Sequence, residues 1–288
     1  MSLNNYPTEL DLLNERFQRP SKQLALSTPY NLSYFEQYPN YIFQNPDQVI
    51  IAYFGVLKQA ANMTTYTCGC GSIGDTKQPY PYAYELFTKE YQKVHTYNEF
   101  LDSFLGIGHI SFLKIYEAYS SPSTPNDMKY YLIEYEIISE QNIPNSNSEE
   151  PMNTKNKTCN FSYYYGIATV QYSSDNGWKI SDINTLREDF LCAPFHSWFY
   201  QSESIIQLIY VDALHIVEQI DDTVIINDTL SIYASGHNQK YRFDFVRLTN
   251  GYDILLHEYI LINNSWMEGN FLGKQWSSLK FSIDNFIS

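Results

Sequence analysis

The stretch Phe161-Ser-Tyr-Tyr-Tyr-Gly-Ile-Ala-Thr-Val-Gln-Tyr172-Ser-Ser174-Asp-Asn176-Gly177-Trp-Lys-Ile180, running on to Phe190-Leu-Cys192-Ala-Pro-Phe-His196-Ser-Trp198, alternates apolar and polar residues and breaks once, at Ser174-Asp-Asn-Gly177. Alternation places every second side chain on one sheet face. Asn-Gly between two such runs supplies residues that tolerate the positive φ of a tight turn. The stretch therefore predicts a long β-hairpin and an architecture containing antiparallel sheet.

Working outward, Asn45-Pro46-Asp47 announces a helix, with Asn at the cap, Pro in the first turn and Asp opposing the dipole; Val49, Tyr53, Val56, Leu57 and Ala60 then share a face. A second helical pattern covers about 82–94. A third begins at Thr96, where Glu99 three residues on completes a capping-box signature. Residues 110–118 and 128–139 alternate like strands around the turn at 121–127, and 140–158 read as a polar loop. The Gly-rich segment 68–74 lacks the Lys-Ser/Thr ending of a phosphate loop and reads as a turn. Residues 1–40 read as an amino-terminal arm.

Past the hairpin, 201–219 read as a helix. Residues 223–233, 240–248 and 252–262 follow as a three-stranded meander with turns at 235–238 and 249–251. The tail carrying Trp266, Phe271, Trp276 and Phe281 reads as a cover for that sheet. The expected class is α+β, divided into the arm 1–40, a domain 41–198 and a carboxy-terminal subdomain 199–288.

Composition bounds the function. Of 288 residues, 44% are hydrophobic and 17% charged, which places the chain among folded proteins. Tyrosine is abundant at 27 residues, and its apolar body with a polar tip suits half-exposed sheet faces and pocket walls. With 32 acidic against 18 basic residues the net charge is −14, so a polyanion such as nucleic acid is excluded as a partner and an anionic membrane surface is disfavoured. No apolar run reaches membrane-spanning length, so no membrane insertion is expected. The first residues lack the basic and apolar regions of a secretory leader, and Met1-Ser2-Leu3 reads as what remains after a leader is removed.

The cysteines sharpen the question of compartment. A four-residue loop at 174–177 places Cys159 opposite Cys192 at the open end of the hairpin, provided that no bulge shifts the ladder. Cys68 and Cys70 then close a strained local loop or cross-link to the other two. Four free thiols of a cytoplasmic protein are the alternative. Three of these sulfurs with His196 form a permitted zinc set, but the Cys-x-Cys spacing and Pro194 between Cys192 and His196 argue against it, so no metal is assigned. No cofactor motif is present. Six Asn-x-Ser/Thr sites, at Asn31, Asn62, Asn156, Asn160, Asn227 and Asn263, are expected by chance in a chain this rich in those residues.

The helix Asn45-Pro-Asp-Gln-Val-Ile-Ile-Ala-Tyr53-Phe54, the segment Glu99-Phe-Leu-Asp-Ser-Phe104 feeding a strand, and Gly177-Trp-Lys-Ile180 together resemble the nuclear transport factor two-like superfamily over about 41–198. That resemblance implies a curved antiparallel sheet wrapped on the amino-terminal helices to form a cone with an internal pocket. It also implies Tyr53, Tyr164 and Trp178 as pocket residues. In the isomerases of that superfamily an Asp or His moves a proton and a Tyr hydroxyl holds an oxyanion. Asp102, His109, Asp189 and His196 are the candidates here, none within a matching motif. Each has a plainer role: helix surface for Asp102, strand entry for His109, an Arg187 partner for Asp189, a core histidine for His196. A shared fold does not transfer activity.

Three functions follow as expectations. The first is a non-enzymatic, extracytoplasmic module of bacterial type, secreted or lipid-anchored, that binds a small ligand, a protein or another copy of itself. The second is a small-molecule isomerase or cyclase using the cone pocket. The third is a structural subunit that forms a homodimer.

Overall fold

The computed structural model describes residues 38–63, 77–121, 124–142, 157–190 and 201–272. The amino-terminal arm to residue 37, the Gly-rich segment with Cys68 and Cys70, residues 143–156 of the expected loop 140–158, Cys192, His196, Trp276 and Phe281 lie outside them. The chain is mixed helix and antiparallel sheet, with two separate sheets ordered β1-β2-β3-β4 and β5-β6-β7-β8-β9. It divides into two compact units, each assembled from three segments: 1–115, 133–164 and 168–183 in the first; 116–132, 165–167 and 184–288 in the second. No helix among the described residues is long and apolar enough to cross a membrane.

In the first unit, α1 (Pro46–Leu57) starts where expected, with Pro46 and Asp47 in its first turn. Asn45 does not cap it through its side chain, whose amide instead donates to the Tyr41 carbonyl at 3.0 Å. The helix is buried nearly all round, and Phe54 lies flat on Phe112 with ring centroids 4.4 Å apart. The expected helix at 82–94 is two helices, α2 (Tyr80–Glu85) and α3 (Lys89–Val94). They separate because Leu86–Thr88 leaves the helical path to bond β4. Ile180 N–H donates to the Leu86 carbonyl at 2.9 Å, and Thr88 N–H donates to the Ile180 carbonyl at 2.8 Å. Thr88 then caps α3 by accepting from Tyr91 N–H at 3.2 Å. The capping box forms as expected at α4 (Tyr97–Asp102), with Glu99 Oε2 on Thr96 N–H at 2.8 Å.

The first sheet comprises β1 (Ile107–Glu117), β2 (Met128–Asn142), β3 (Lys157–Ser173) and β4 (Gly177–Arg187). Glu140 N–H donates to the Gly106 carbonyl at 2.8 Å just before β1, and Ala118 N–H donates to the Tyr130 carbonyl at 2.9 Å just after it. At the β3–β4 turn only Gly177 takes positive φ, at 69°; Asn176 does not. The turn is therefore not the paired-positive-φ form that Asn-Gly favours.

The second unit departs further from expectation. Its helix is α5 (Ser202–Ile205) continuing as a π-helical segment (Ile206–Ala213), after which His215 turns at φ 54°. Its meander has five strands rather than three: β5 (Gln219–Ile226), β6 (Thr229–Gly236), β7 (Gln239–Arg247), β8 (Asp253–Ile262) and β9 (Ser265–Gly269). The expected strand 223–233 folds back at Asn227-Asp228. The expected tail at Trp266 is β9, which follows a turn at Asn263-Asn264. Asn227, Asn263 and Asn264 all adopt positive φ, which asparagine tolerates better than most residues.

One face of this sheet, with Leu230, Ile232, Phe243, Phe245 and Leu255, packs under Ile206 and Tyr210. Register slips between Asp244 and Phe245, leaving Leu256 as an extra residue on β8. Val246 and Leu256 belong to a second cluster with Ala118, Tyr130, Leu132 and Ile167. Tyr210 donates its hydroxyl to Glu258 at 2.8 Å, and Phe271 N–H reaches the other oxygen of that fully buried carboxylate at 3.3 Å. Burial, and secondarily the charge of Glu258, holds the Tyr210 phenol far above its ordinary titration range, so it stays a donor.

Gly177 combines a close backbone approach with a left-handed φ. A Cβ there would stand 2.3 Å from the Phe43 carbonyl oxygen, and the backbone already occupies positive φ. Gly177→Ala should lower unfolding free energy by about 2 kcal/mol or more, combining the φ penalty with displacement of Phe43. A urea melt with an unchanged midpoint would refute this close approach.

Candidate functional site

Bonding of Leu86–Thr88 to the edge of β4 produces a cleft in the first unit, about 380 Å³ in volume. Phe87 and Thr88 form one wall, Gln171 and Tyr172 of β3 another, and Lys179 lies beneath. The position of Lys179 follows from β4's pairing. Ile180 bonds the Leu86–Thr88 segment in a short parallel bridge, so its neighbour is carried to the end of α2.

There Lys179 Nζ donates to the Glu85 carbonyl, the last of α2, at 2.5 Å and stands 4.9 Å from the centre of the Phe43 ring. A cation at a helix carboxy terminus and over an aromatic face is favourably placed. Burial nevertheless dominates. With the residue only 7% exposed, the ammonium is pushed down to about 8, partly opposed by Glu85 and reinforced by Lys89. An amine of this kind changes charge near neutral pH and can either bind an anion or accept a proton. Phe87 stacks on Tyr91 at 4.1 Å, and the Tyr91 phenol is raised by burial and then by Asp182.

Lys179 was legible only as the lysine of Gly-Trp-Lys-Ile. A lone lysine between two large apolar residues of a strand is the one signal that marks it, and alternation alone points it to solvent. Of the implied pocket residues, Tyr53 is buried on α1, edge-on to Phe54 at 5.1 Å and to Phe87 at 5.3 Å. Its phenol is raised well above the usual value by burial first, then by neighbouring tyrosines. Phe54 reaches Tyr135 at 5.1 Å, and Tyr135 stacks on Tyr164 at 5.6 Å, so a chain of ring contacts leads from Tyr53 on α1 to Tyr164 on the sheet. Trp178 packs on the cleft residue Tyr172 at 5.5 Å.

The catalytic candidates occupy separate elements. Asp102 is exposed at the end of α4, where its carbonyl accepts from Leu105 N–H at 3.0 Å. His109 is half-buried on β1. Asp189 is exposed beyond β4 and receives the Asn250 amide on its carbonyl at 3.2 Å, within the second unit. None of these three lines the cleft. Buried carboxylates of the first unit include Glu134, paired with Lys114 at 2.7 Å, and Glu136. No cluster of three metal-ligating side chains is found among the described residues. Cys159 is disulfide-bonded, and the other three cysteines lie outside the described residues.

No protein-family model matches the chain, and no curated protein matches it. Among solved structures, it is similar to an Ntf2-like protein involved in plasmid conjugation, with 9% identity over 72% of this chain and 92% of that one, at a TM-score of 0.27. So low a score leaves the fold to be described by the chain's own topology.

The buried ammonium has a thermodynamic signature. The folded chain releases the Lys179 proton near pH 8, whereas an unfolded lysine holds it to about 10.4. The unfolded state thus binds more protons in between, and stability rises with pH across that window. We expect the slope of the urea midpoint between pH 7.5 and 9.5 to be more positive in the wild type than in Lys179→Met, which lacks this contribution. Equal slopes in the two proteins would mean that the ammonium is solvated.

Proposed function

We propose that this chain is a non-enzymatic binding module, in which residues 41–198 form a nuclear transport factor two-like domain, 199–288 an α+β subdomain, and the cleft over Lys179 holds a small ligand or a short peptide segment. The carrying observation is the cleft itself. Its volume lies in the range of small-molecule sites, and its wall mixes the rings of Phe87 and Tyr172 with the polar groups of Thr88, Gln171 and Lys179. Lys179 and Lys89 in this lining can take a carboxylate, while Glu90 and Asp175 beside them oppose a multiply charged anion.

The chain of ring contacts from Tyr53 to Tyr164 runs between helix and sheet, where an isomerase would need a solvated pocket, which favours binding over turnover. One observation favours the enzymatic reading of an isomerase or cyclase: the amine titrating near pH 8, which in that case replaces Asp102 and His109 as the proton-transfer group.

The disulfide at Cys159 supports a site of action outside the cytoplasm, with Cys192 as the proposed partner. Peptide mapping without reductant on protein exported to an oxidising compartment should recover the 159–192 pair; Cys159 joined to Cys68 or Cys70 would eliminate that register. For the cleft, saturation-transfer NMR with C3–C6 carboxylates and acetylated tripeptides should find a saturable ligand. Its affinity should fall at least tenfold in Lys179→Met and in Tyr172→Ala. Affinity unchanged in both variants would remove the cleft as the site, and chemical conversion of the ligand by the protein would establish the enzymatic reading.

A further inference from the structure

The second sheet ends on β5, and the last residues of β5 are apolar and open: Val224, Ile225 and Ile226 are 36%, 59% and 64% exposed. The register determines which main-chain groups face outward. Arg247 N–H donates to the Asp228 carbonyl at 2.8 Å, so Asp228 bonds toward β7 and the next residue, Thr229, bonds toward β5. Thr229 is opposite Ile226. Ile226 therefore bonds inward, and Ile225 turns its N–H and C=O away from β6 to the open edge.

Thr223 also faces outward, but its N–H is already taken by Asp222 Oδ1 at 2.9 Å. The register slip between Ile220 and Asp222 ends the regular edge on the other side. What remains is a short template: the Thr223 carbonyl and both main-chain groups of Ile225.

Acidic side chains gather beside this template, one of them, Glu218, 3.5 Å from His237. Asp221 and Asp222 lie on β5, and Glu218 immediately precedes it. Glu203 of α5 is held against the strand by the Thr223 hydroxyl at 3.0 Å. Acidic residues on an edge guard against pairing with like-charged chains. They do so with particular force against a second copy carrying its own net charge of −14. The same charges attract a basic strand, and main-chain bonds with alternate side-chain contacts are the physics by which sheet edges take extended peptides.

We propose that the edge of β5 docks an extended segment of another protein in which basic and apolar residues alternate, added to the sheet as a sixth strand. This proposal rests on the second unit alone and is independent of the cleft.

The test uses the full chain and a fluorescein-labelled Lys-Val-Lys-Ile-Lys peptide read by anisotropy, beside a Glu-Val-Glu-Ile-Glu peptide and a copy of the basic peptide N-methylated at alternate residues. The basic peptide should bind and the acidic one should not. Binding should weaken at least tenfold on N-methylation and in Ile225→Pro, which deletes one outward N–H and no ladder bond; Ile225→Lys should weaken it several-fold. If Ile225→Pro fails to fold, the N-methylated peptide and Ile225→Lys decide the matter. Equal binding of the methylated peptide would reduce the effect to diffuse charge attraction and overturn the proposal, as would no binding of the basic peptide at millimolar concentration. Sedimentation showing a dimer that Ile225→Lys dissociates would assign the edge to a second copy and overturn it equally.

Discussion

The edge of β4 is the constraint on which the first unit's geometry turns. A sheet edge carries unpaired amides and carbonyls, and here Leu86–Thr88 satisfies them at Ile180 by interrupting what would otherwise be one helix. Three consequences follow from two hydrogen bonds: α3 begins at a threonine already in position to cap it, Glu85 becomes a helix terminus, and Lys179 is brought beneath that terminus. The cleft is what remains between the bridged segment and the β3–β4 turn.

Burying an ammonium for this purpose carries a cost, visible in the depressed titration of Lys179. A methionine would fill similar space without it. The Glu85 carbonyl and the Phe43 ring recover part of the penalty, and burial still dominates. The second unit makes a comparable choice in pairing Tyr210 with the fully buried Glu258. There each carboxylate oxygen receives a donor, so the polar pair fixes how the π-helical segment sits on its own sheet.

Much of the secondary structure was legible because local chemistry decided it. The Pro-Asp start of α1, the Thr96–Glu99 box and the alternating runs of β1 to β4 each carry their own signal. The split between α2 and α3 was not legible, because the bonds that cause it come from Ile180, far along the chain. The five-strand meander was obscured differently. Asn227 and Asn263 stand within Asn-x-Ser/Thr triplets that chance explains, so neither marks a turn, while the apolar run Val224-Ile225-Ile226 continues toward the next apolar residues as one strand would. At the site, periodicity places Lys179 on the wrong side of its strand, since alternation cannot register a neighbouring segment that covers an edge. Tyr53 and Tyr164 do belong to one chain of aromatic contacts.

The second unit draws residues 116–132 and 165–167 from well before its main segment, 184–288. Tyr116 finds its hydroxyl partner, Asp228, 112 positions later, and Glu117 meets His257 after 140. Contacts so distant in sequence slow folding, because chain closure must come before any reward. During synthesis the strand ends around Ala118 and Leu132 leave the ribosome long before Val246 and Leu256 exist to cover them. For that interval they are an apolar surface awaiting its partners, and the chain's strong negative charge keeps nascent copies apart while they wait.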